Sequence, residues 1–314
     1  MGAISKPLLA LAFAWPMVFV ARSVDRLGKG LRTTARDALI ADAVGHANGG
    51  RAYGFNRMMD TAGAVVGVLL ATGLLFLLPG QYRTIFLVAA VPGVVAIRLT
   101  FQLREAGTPE RARPVAASAG PSAAGKPWSG MSRGFWMTLG LLLLFAFANS
   151  SDTLLILRAR NLGLSDVQAI LAYTLFNLVY AASSYPLGIL SDRIGRWRMV
   201  LAGWSVYAVV YFGFAWADAA MVWWLFPLYG LFMGLTDGVG RALIRDKIPE
   251  EKKGTAMGIF NMTIGFAALA GSVTAGLLWD TLGPKAPFVL GGTVAVVAVL
   301  AAVRIVPRTK AASR

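Results

Sequence analysis

The chain has 314 residues, 57% of them hydrophobic and only 14% charged, where a soluble domain carries about a quarter charged, so the composition places it in lipid. It has no cysteine and a single histidine, His46; this excludes disulfides, thiol chemistry and a metal site built on His or Cys, and no cofactor is expected. The formal charge of +15 would suit nucleic acid if it covered a soluble face, but the basic residues lie between apolar runs, which points to a lipid bilayer as partner and not to nucleic acid.

A spanning helix needs about 20 predominantly apolar residues. At the start, residues 1–14 read as the end of a helix and Trp15-Pro16 as a turn; one short helix over 5–21 is the alternative. No signal peptide is expected, because a basic first region and a small-residue cleavage site are missing. Nine spans follow, at 17–41, 52–78, 84–103, 135–157, 167–190, 199–217, 221–244, 255–279 and 286–306. Basic residues crowd one set of connecting loops (around 32–57, 98–133, 193–198, 241–253 and 304–314) and are sparse in the other. That asymmetry predicts a multi-pass protein of the cell membrane with a cytoplasmic C-terminus. The stretch 105–133, rich in Pro, Ala, Ser and Gly, reads as a flexible cytoplasmic linker without a fold of its own.

Charges inside the spans recur on every third helix: Arg22, Asp25, Arg26 and Lys29 in the first, Asp152 in the fourth, Asp237 in the seventh. A charge at the bilayer centre costs about 2.5–3.5 kcal/mol, so such residues are expected to face a water-filled path or one another. The charge-free stretches 84–97, 199–217 and 286–303 read as facing lipid. Arg26 is a candidate to bind an anionic group or pair with a carboxylate, a structural pair with Asp25 being the plainer reading. Asn149, Asp152 and Thr153 form a polar cluster in a Leu/Phe-rich helix; either they line a substrate or proton pathway, or Asp152 lies in the outer third and is partly wet. Asp237, beside Thr236 and Gly238, carries the same pair of readings. An aspartic acid taken out of water can carry a proton, so proton coupling stays open. Asn177 reads as a helix–helix hydrogen bond, Asn56, Arg57 and Asp60 as residues that hold loops, and His46 as a loop residue. No nucleophile–base pair suits an intramembrane enzyme.

The sequence also repeats itself at a shift of about 204 residues: Ala38-Leu39-Ile40 meets Ala242-Leu243-Ile244, Asp42 meets Asp246, and Gly50, Gly54 and Gly67 meet Gly254, Gly258 and Gly271. Internal repeats of this kind build transporters, with the substrate site between them.

Gly188-Ile-Leu190-Ser-Asp192-Arg193-Ile-Gly195-Arg196-Trp-Arg198 resembles the short-loop signature G-x-L-[AS]-D-R-x-G-R-[KR] of the major facilitator superfamily, with Trp197 where a basic residue is usual. Arg26-Leu-Gly28-Lys-Gly30 resembles that family's R-x-x-x-G element. Gly63-Ala-Val-Val-Gly67-Val68 resembles the G-x-x-x-G-P element of its proton-coupled antiporters, with Val68 in place of proline; glycine-mediated helix packing is the alternative there. The resemblance implies an all-α, multi-pass bundle aligned to helices four to twelve plus the tail of helix three. The chain would then divide into an incomplete N-terminal half at 1–104, the linker at 105–133 and a six-helix C-terminal half at 134–314, lacking the first two helices and most of the third. It further implies a secondary active transporter that moves a small-molecule solute by alternating access, in which Gly188, Asp192, Arg193, Gly195 and Arg196 form a gating loop. A truncated, non-transporting remnant or membrane scaffold is the competing expectation. In the family this loop's carboxylate braces the opposite half. Asp192 is therefore expected at the start of the helix near Ala52, and the repeat-related helix near Ala256 is expected to lack such a partner.

Overall fold

The computed structural model of the chain describes Met17, Gly28 and residues 32–41, 43–44, 48–78, 81–88, 91–101, 130–248 and 252–306. Among these residues all regular structure is helical. A helical stretch at 32–41 is followed by α1 (Gly49–Leu77), α2 (Tyr82–Val88), α3 (Val91–Phe101), α4 (Arg133–Ala148), α5 (Thr153–Asn161), α6 (Asp166–Ile194), α7 (Arg196–Trp216), α8 (Ala219–Arg245), α9 (Lys253–Leu282) and α10 (Ala286–Ile305). Two compact units emerge: Met1–Leu39 with Val66–Ser129, and Ile40–Val65 with Gly130–Arg314. Arg26 and residues 105–129 of the linker lie outside the described residues.

In the first unit, Leu69, Leu70, Leu87, Val91, Val94, Val95 and Leu99 are each more than half exposed. Apolar surface on that scale is what a lipid-facing helix presents. In the second unit, six segments are long and apolar enough to cross a membrane: Arg133–Asn161, Asp166–Ile194, Arg196–Trp216, Ala219–Arg245, Gly254–Leu282 and Ala286–Ile305. The fold is therefore an all-α, multi-pass membrane bundle.

Local sequence explains where the helices begin and end. Ser132 accepts a hydrogen bond from Phe135 N and caps α4, Ser165 and Gln168 form a reciprocal capping box on α6, and Asp218 caps α8. One residue, Gly195, separates α6 from α7; its φ of 102° is open to glycine and costly for other residues.

Helix α8 carries Gly230, Gly234 and Gly238 at intervals of four, a ridge without side chains. A Cβ at Gly230 would stand 2.5 Å from the Phe176 carbonyl oxygen, and one at Gly234 2.2 Å from Ser183 Oγ, both on α6. A Cβ at Gly238 would meet the backbone nitrogen of Gly54 on α1 at 3.1 Å. Since lipid is as apolar as leucine, helices in a bilayer gain from close contact more than from hydrophobicity, and small residues permit that contact.

Three expectations are corrected. The span at 135–157 is not one helix, because α4 stops at Ala148 and α5 starts at Thr153. The reason is local: Asn149, Ser150, Ser151 and Asp152 are four successive side chains that compete for backbone hydrogen bonds. The charge-free segment 199–217 does not simply face lipid. In α7, Trp204, Tyr207, Tyr211 and Phe214 are almost wholly buried, with Phe145 and Trp204 stacked at 4.8 Å and Tyr207 and Tyr211 at 3.9 Å. Absence of charge is compatible with lipid and with an aromatic core alike. Third, the glycine-packing alternative at Gly63 and Gly67 has no partner among the described residues, where a Cβ at either would meet nothing within 4 Å.

The repeat is visible in the helices. Gly49 and Lys253 open α1 and α9 in the repeat register, and Leu77 and Leu282 close them one residue out of it.

Candidate functional site

Three polar centres lie in the second unit. The first is the break between α4 and α5. With no water in a bilayer core, freed backbone groups need partners, and irregular backbone survives only where protein or a cavity supplies them. Here the surrounding helices do so. Tyr207 OH of α7 donates to the Ala148 carbonyl at 2.6 Å, Ser150 Oγ lies 3.1 Å from Tyr211 OH, and Ser151 N donates to Ser272 Oγ of α9 at 3.1 Å. Tyr229 of α8, itself buried, places its hydroxyl 2.8 Å from Asp152 Oδ1 and 3.2 Å from Asn149 Oδ1. Asp152 remains half-buried. A cavity of about 140 Å³ opens beside the break, with Asn149, Thr236 and Asp237 as its polar lining and Trp204 and Phe260 on its apolar side.

The second centre surrounds Asp237. Its two carboxylate oxygens take different cations: Arg241 Nη1, one turn along α8, donates to Oδ1 at 2.5 Å, and Arg57 Nε of α1 lies 2.8 Å from Oδ2. Tyr180 OH of α6 donates to the same Oδ2. Arg57 also reaches Asp60 at 3.4 Å. Three helices thus meet on one carboxylate.

The third centre is the loop signature. Asp192 Oδ1 accepts from Gly50 N at 2.9 Å and Oδ2 from Arg51 N at 2.8 Å, at the first turn of α1. Here the carboxylate meets both the unpaired N–H groups and the positive end of the helix dipole. Arg196 Nη2 holds Asp192 Oδ1 at 3.1 Å while its Nη1 pairs with Asp246 and donates to the Ala242 carbonyl at 2.9 Å. The backbones touch at the same place, since a Cβ on Gly188 would stand 2.4 Å from the Gly50 oxygen. At the N-terminus of α9, which the repeat relates to that of α1, the side chain of the N-cap residue Lys252 does not cap the helix. Gly195 supplies the turn, and Arg193 is exposed at the end of α6.

The structure brings Asn149 and Asp152 together through Tyr229, and it puts Asp192 on the α1 terminus. Asp237 lies about two turns beyond Tyr229 on α8, in its own ion-pair network, and lines the same cavity as Asn149. Arg241, Tyr180 and Tyr229 carry no site reading in the sequence. Arg57, expected to hold a loop, instead pairs with Asp237 inside the bundle. The i,i+4 spacing of Asp237 and Arg241 was a readable signal of an ion pair on one helix face. Asn177 does not bridge helices; its Nδ2 donates to Tyr173 O of its own helix at 2.8 Å.

The sequence profile described as Major Facilitator Superfamily matches residues 1–157 and 153–314. An uncharacterised transporter of that type from Methanocaldococcus jannaschii is 32% identical over 302 residues, covering 93% of this chain and 73% of the relative. Among solved structures, a proton:xylose symporter of the superfamily has a similar fold, with a TM-score of 0.78 at 15% identity over 98% of this chain and 78% of that one. The Escherichia coli fucose:proton symporter gives a TM-score of 0.73 at 14% identity, over 96% of this chain and 82% of that one. A profile matched along the whole length, a relative aligned across nearly all of it, and the helical bundle itself lead to one conclusion: the chain belongs to the major facilitator superfamily of membrane transporters.

Proposed function

We propose that this protein moves a small solute across the cell membrane by alternating access, with its C-terminus on the cytoplasmic side and proton coupling through an intramembrane carboxylate. The observation that carries this reading is the docking of Asp192 onto the first turn of α1, beside a backbone contact at Gly50 and Gly188. Such a junction is strong when formed and has no partial version: backbone atoms either touch or separate. It therefore suits a two-state gate, in which Gly188, Asp192, Arg193, Gly195 and Arg196 close the basic end of the bundle. On this reading residues 1–104 and 134–314 act as the two halves that rock, joined by the linker at 105–133. Arg26, Asn149, Asp152 and Asp237 are the residues of the solute or proton path on this reading. Xylose and fucose symporters share the fold and couple to protons; the carboxylate of Asp152, which meets a tyrosine hydroxyl and no cation among the described residues, is the feature here that supports the same coupling.

The test is a state-dependent crosslink in this cysteine-free chain. Arg51 Nε donates to Tyr185 OH at 3.2 Å, so cysteines at 51 and 185 fall within reach of a short bismaleimide. In proteoliposomes the crosslink should form, and forming it should stop transport; reduction of a cleavable analogue should restore it. Transport that continues at full rate through a quantitative crosslink would refute alternating access at this gate.

A further inference from the structure

The cavity beside the break is walled by α4, α7, α8 and α9, and among the described residues none of its lining comes from α1, α2 or α3. It is a space inside the C-terminal helices. Gly240, one of the lining residues, is an independent sign of that space: it is buried, yet a Cβ built on it would meet nothing within 4 Å. Elsewhere on the same helix the opposite holds, since a Cβ at Gly230 or Gly234 would run into α6 at 2.5 or 2.2 Å. Packed interiors leave few voids of this kind. The volume, about 140 Å³, is that of a single-ring site, because an apolar cavity of about 150 Å³ takes benzene.

The walls select the kind of ring. Phe145 stacks on Trp204 at 4.8 Å and tilts against Phe232 at 5.6 Å, so α4, α7 and α8 contribute one connected aromatic cluster. Phe260 of α9 adds a fourth ring to the lining. Another aromatic ring gains more from such neighbours than its buried area alone provides. Of the polar lining, Asp237 has both oxygens committed, Oδ1 to Arg241 and Oδ2 to Arg57 and Tyr180, so it is no open partner for a cation. A ligand charge of either sign would enter a mostly apolar space without a counter-ion, at high cost. The groups still open are neutral. Thr236 Oγ1 spends its proton on the Phe232 carbonyl at 2.9 Å and keeps its lone pairs. The Asn149 amide gives one end to Tyr229 OH at 3.2 Å, and its other end has no partner among the described residues. A hydroxyl donates one hydrogen bond and accepts another. It therefore suits Thr236 as acceptor and the Asn149 amide in either orientation.

We infer that this cavity binds a neutral, single-ring aromatic alcohol, its hydroxyl at Asn149 and Thr236 and its ring against Trp204, Phe232 and Phe260. The site goes beyond the transport reading, because binding within the C-terminal helices needs no movement of the gate. The probe is 4-fluorophenol, with fluorobenzene as the ring without a hydroxyl. Binding to the purified full chain in lipid nanodiscs is read by fluorine NMR, with empty nanodiscs subtracted for partition into lipid. The wild type should bind 4-fluorophenol saturably, and fluorobenzene about fivefold more weakly, as expected for the loss of one neutral hydrogen bond. Thr236→Val, which keeps the shape and removes the hydroxyl, should narrow that gap. Gly240→Leu fills the void and should abolish saturable binding. Its thermal midpoint should stay level or rise, because a helix-interior glycine gives way to a better helix former in open space. Gly240→Ala fills less and should weaken binding by a smaller factor, which keeps the test alive if the leucine variant fails to fold. No saturable binding by the wild type, equal affinity for the two probes, or wild-type affinity in a folded Gly240 variant overturns the inference. The crosslink between positions 51 and 185 needs no ligand, so a failure here leaves the transport reading standing, and a failure there is seen separately.

Discussion

The basic end of the C-terminal helices and the break in the first of them are both rich in polar groups, yet they are satisfied in opposite ways. At the basic end charge meets charge and backbone meets backbone: Asp192 on the first turn of α1, Arg196 on Asp192 and Asp246, Gly188 against Gly50. Nothing there asks for a ligand. At the break, the hydroxyls of Tyr207 and Tyr229 donate to freed backbone and side-chain acceptors, Tyr211 pairs with Ser150, Ser272 accepts from the Ser151 N–H, and the one full charge, Asp152, is answered by a neutral donor. A closed electrostatic circuit holds a conformation, whereas an open one leaves a place for something to arrive. Asp237 belongs with the first kind although it lies within a span, because Arg57 and Arg241 close its circuit.

The sharpest way to break this comparison is to neutralise each intramembrane aspartate in turn. Asp237→Asn leaves two arginines, each about 15% exposed, facing one another without their shared anion. Removing one partner from a buried ion pair costs about 3–5 kcal/mol, so the thermal midpoint in detergent should fall steeply. Asp152→Asn removes a charge that has no counter-ion among the described residues and keeps an acceptor for Tyr229. Its midpoint should stay level or rise. Equal losses in the two variants would erase the distinction between a held charge and an open one.

A smaller effect is expected from Gly188→Ala. One methyl group would stand 2.4 Å from the Gly50 carbonyl oxygen, a backbone atom that cannot swing aside. Overpacking of this kind costs about 1–3 kcal/mol. Because the contact exists only while α1 and α6 are in touch, the loss falls on the state in which these two helices are joined. The crosslink between cysteines 51 and 185 should form more slowly in the Gly188→Ala background, with total folded protein unchanged. An unaltered crosslinking rate would show that the glycines are tolerated and not required.

The helical class, the spans of the C-terminal helices and the position of Asp192 were all legible in the sequence, and for physical reasons. Spans are written as long apolar runs, and the loop signature contains the carboxylate and the glycines that its contact needs. The family's loop signature, joined to the 204-residue repeat, pointed to the helix start that meets Asp192. The α4–α5 break was legible only in part. Four consecutive polar residues, Asn149 to Asp152, signalled it, but the apolar run on both sides gave the stronger period. The neutralisation of Asp237 was hidden, because Arg57 lies 180 positions away in sequence and its partner is chosen by the crossing of α1 and α8. The glycine ridge at 230, 234 and 238 needed the structure to show which helix fills it. Aromatic burial in α7 could not be told from lipid exposure by composition, since both environments accept the same side chains.

The finest test concerns how the break is held open. Ser272 Oγ accepts the Ser151 N–H at 3.1 Å, and this hydrogen bond ties the turn to α9. Ser272→Ala removes the acceptor and nothing else of consequence. In a bilayer such bonds contribute about 0.6 kcal/mol on average, with a ceiling near 1.7, so global stability should shift little. The local consequence is more specific. Ser151 N–H would be left without its partner at the point where α4 cannot continue, and residues 150–153 would open more often. Hydrogen exchange measured by mass spectrometry should therefore rise in the peptide spanning 149–155, by about threefold for 0.6 kcal/mol. Exchange in the α6–α8 ridge should be unchanged. Tyr207→Phe makes the complementary cut, because it strips the donor from the Ala148 carbonyl on the other side of the turn. If these hydroxyls hold the turn, either variant should loosen this one peptide and leave its neighbours as they were. Unchanged exchange over 149–155 in both variants would show that the turn is fixed by the packing of α4 and α5 and not by the hydroxyls.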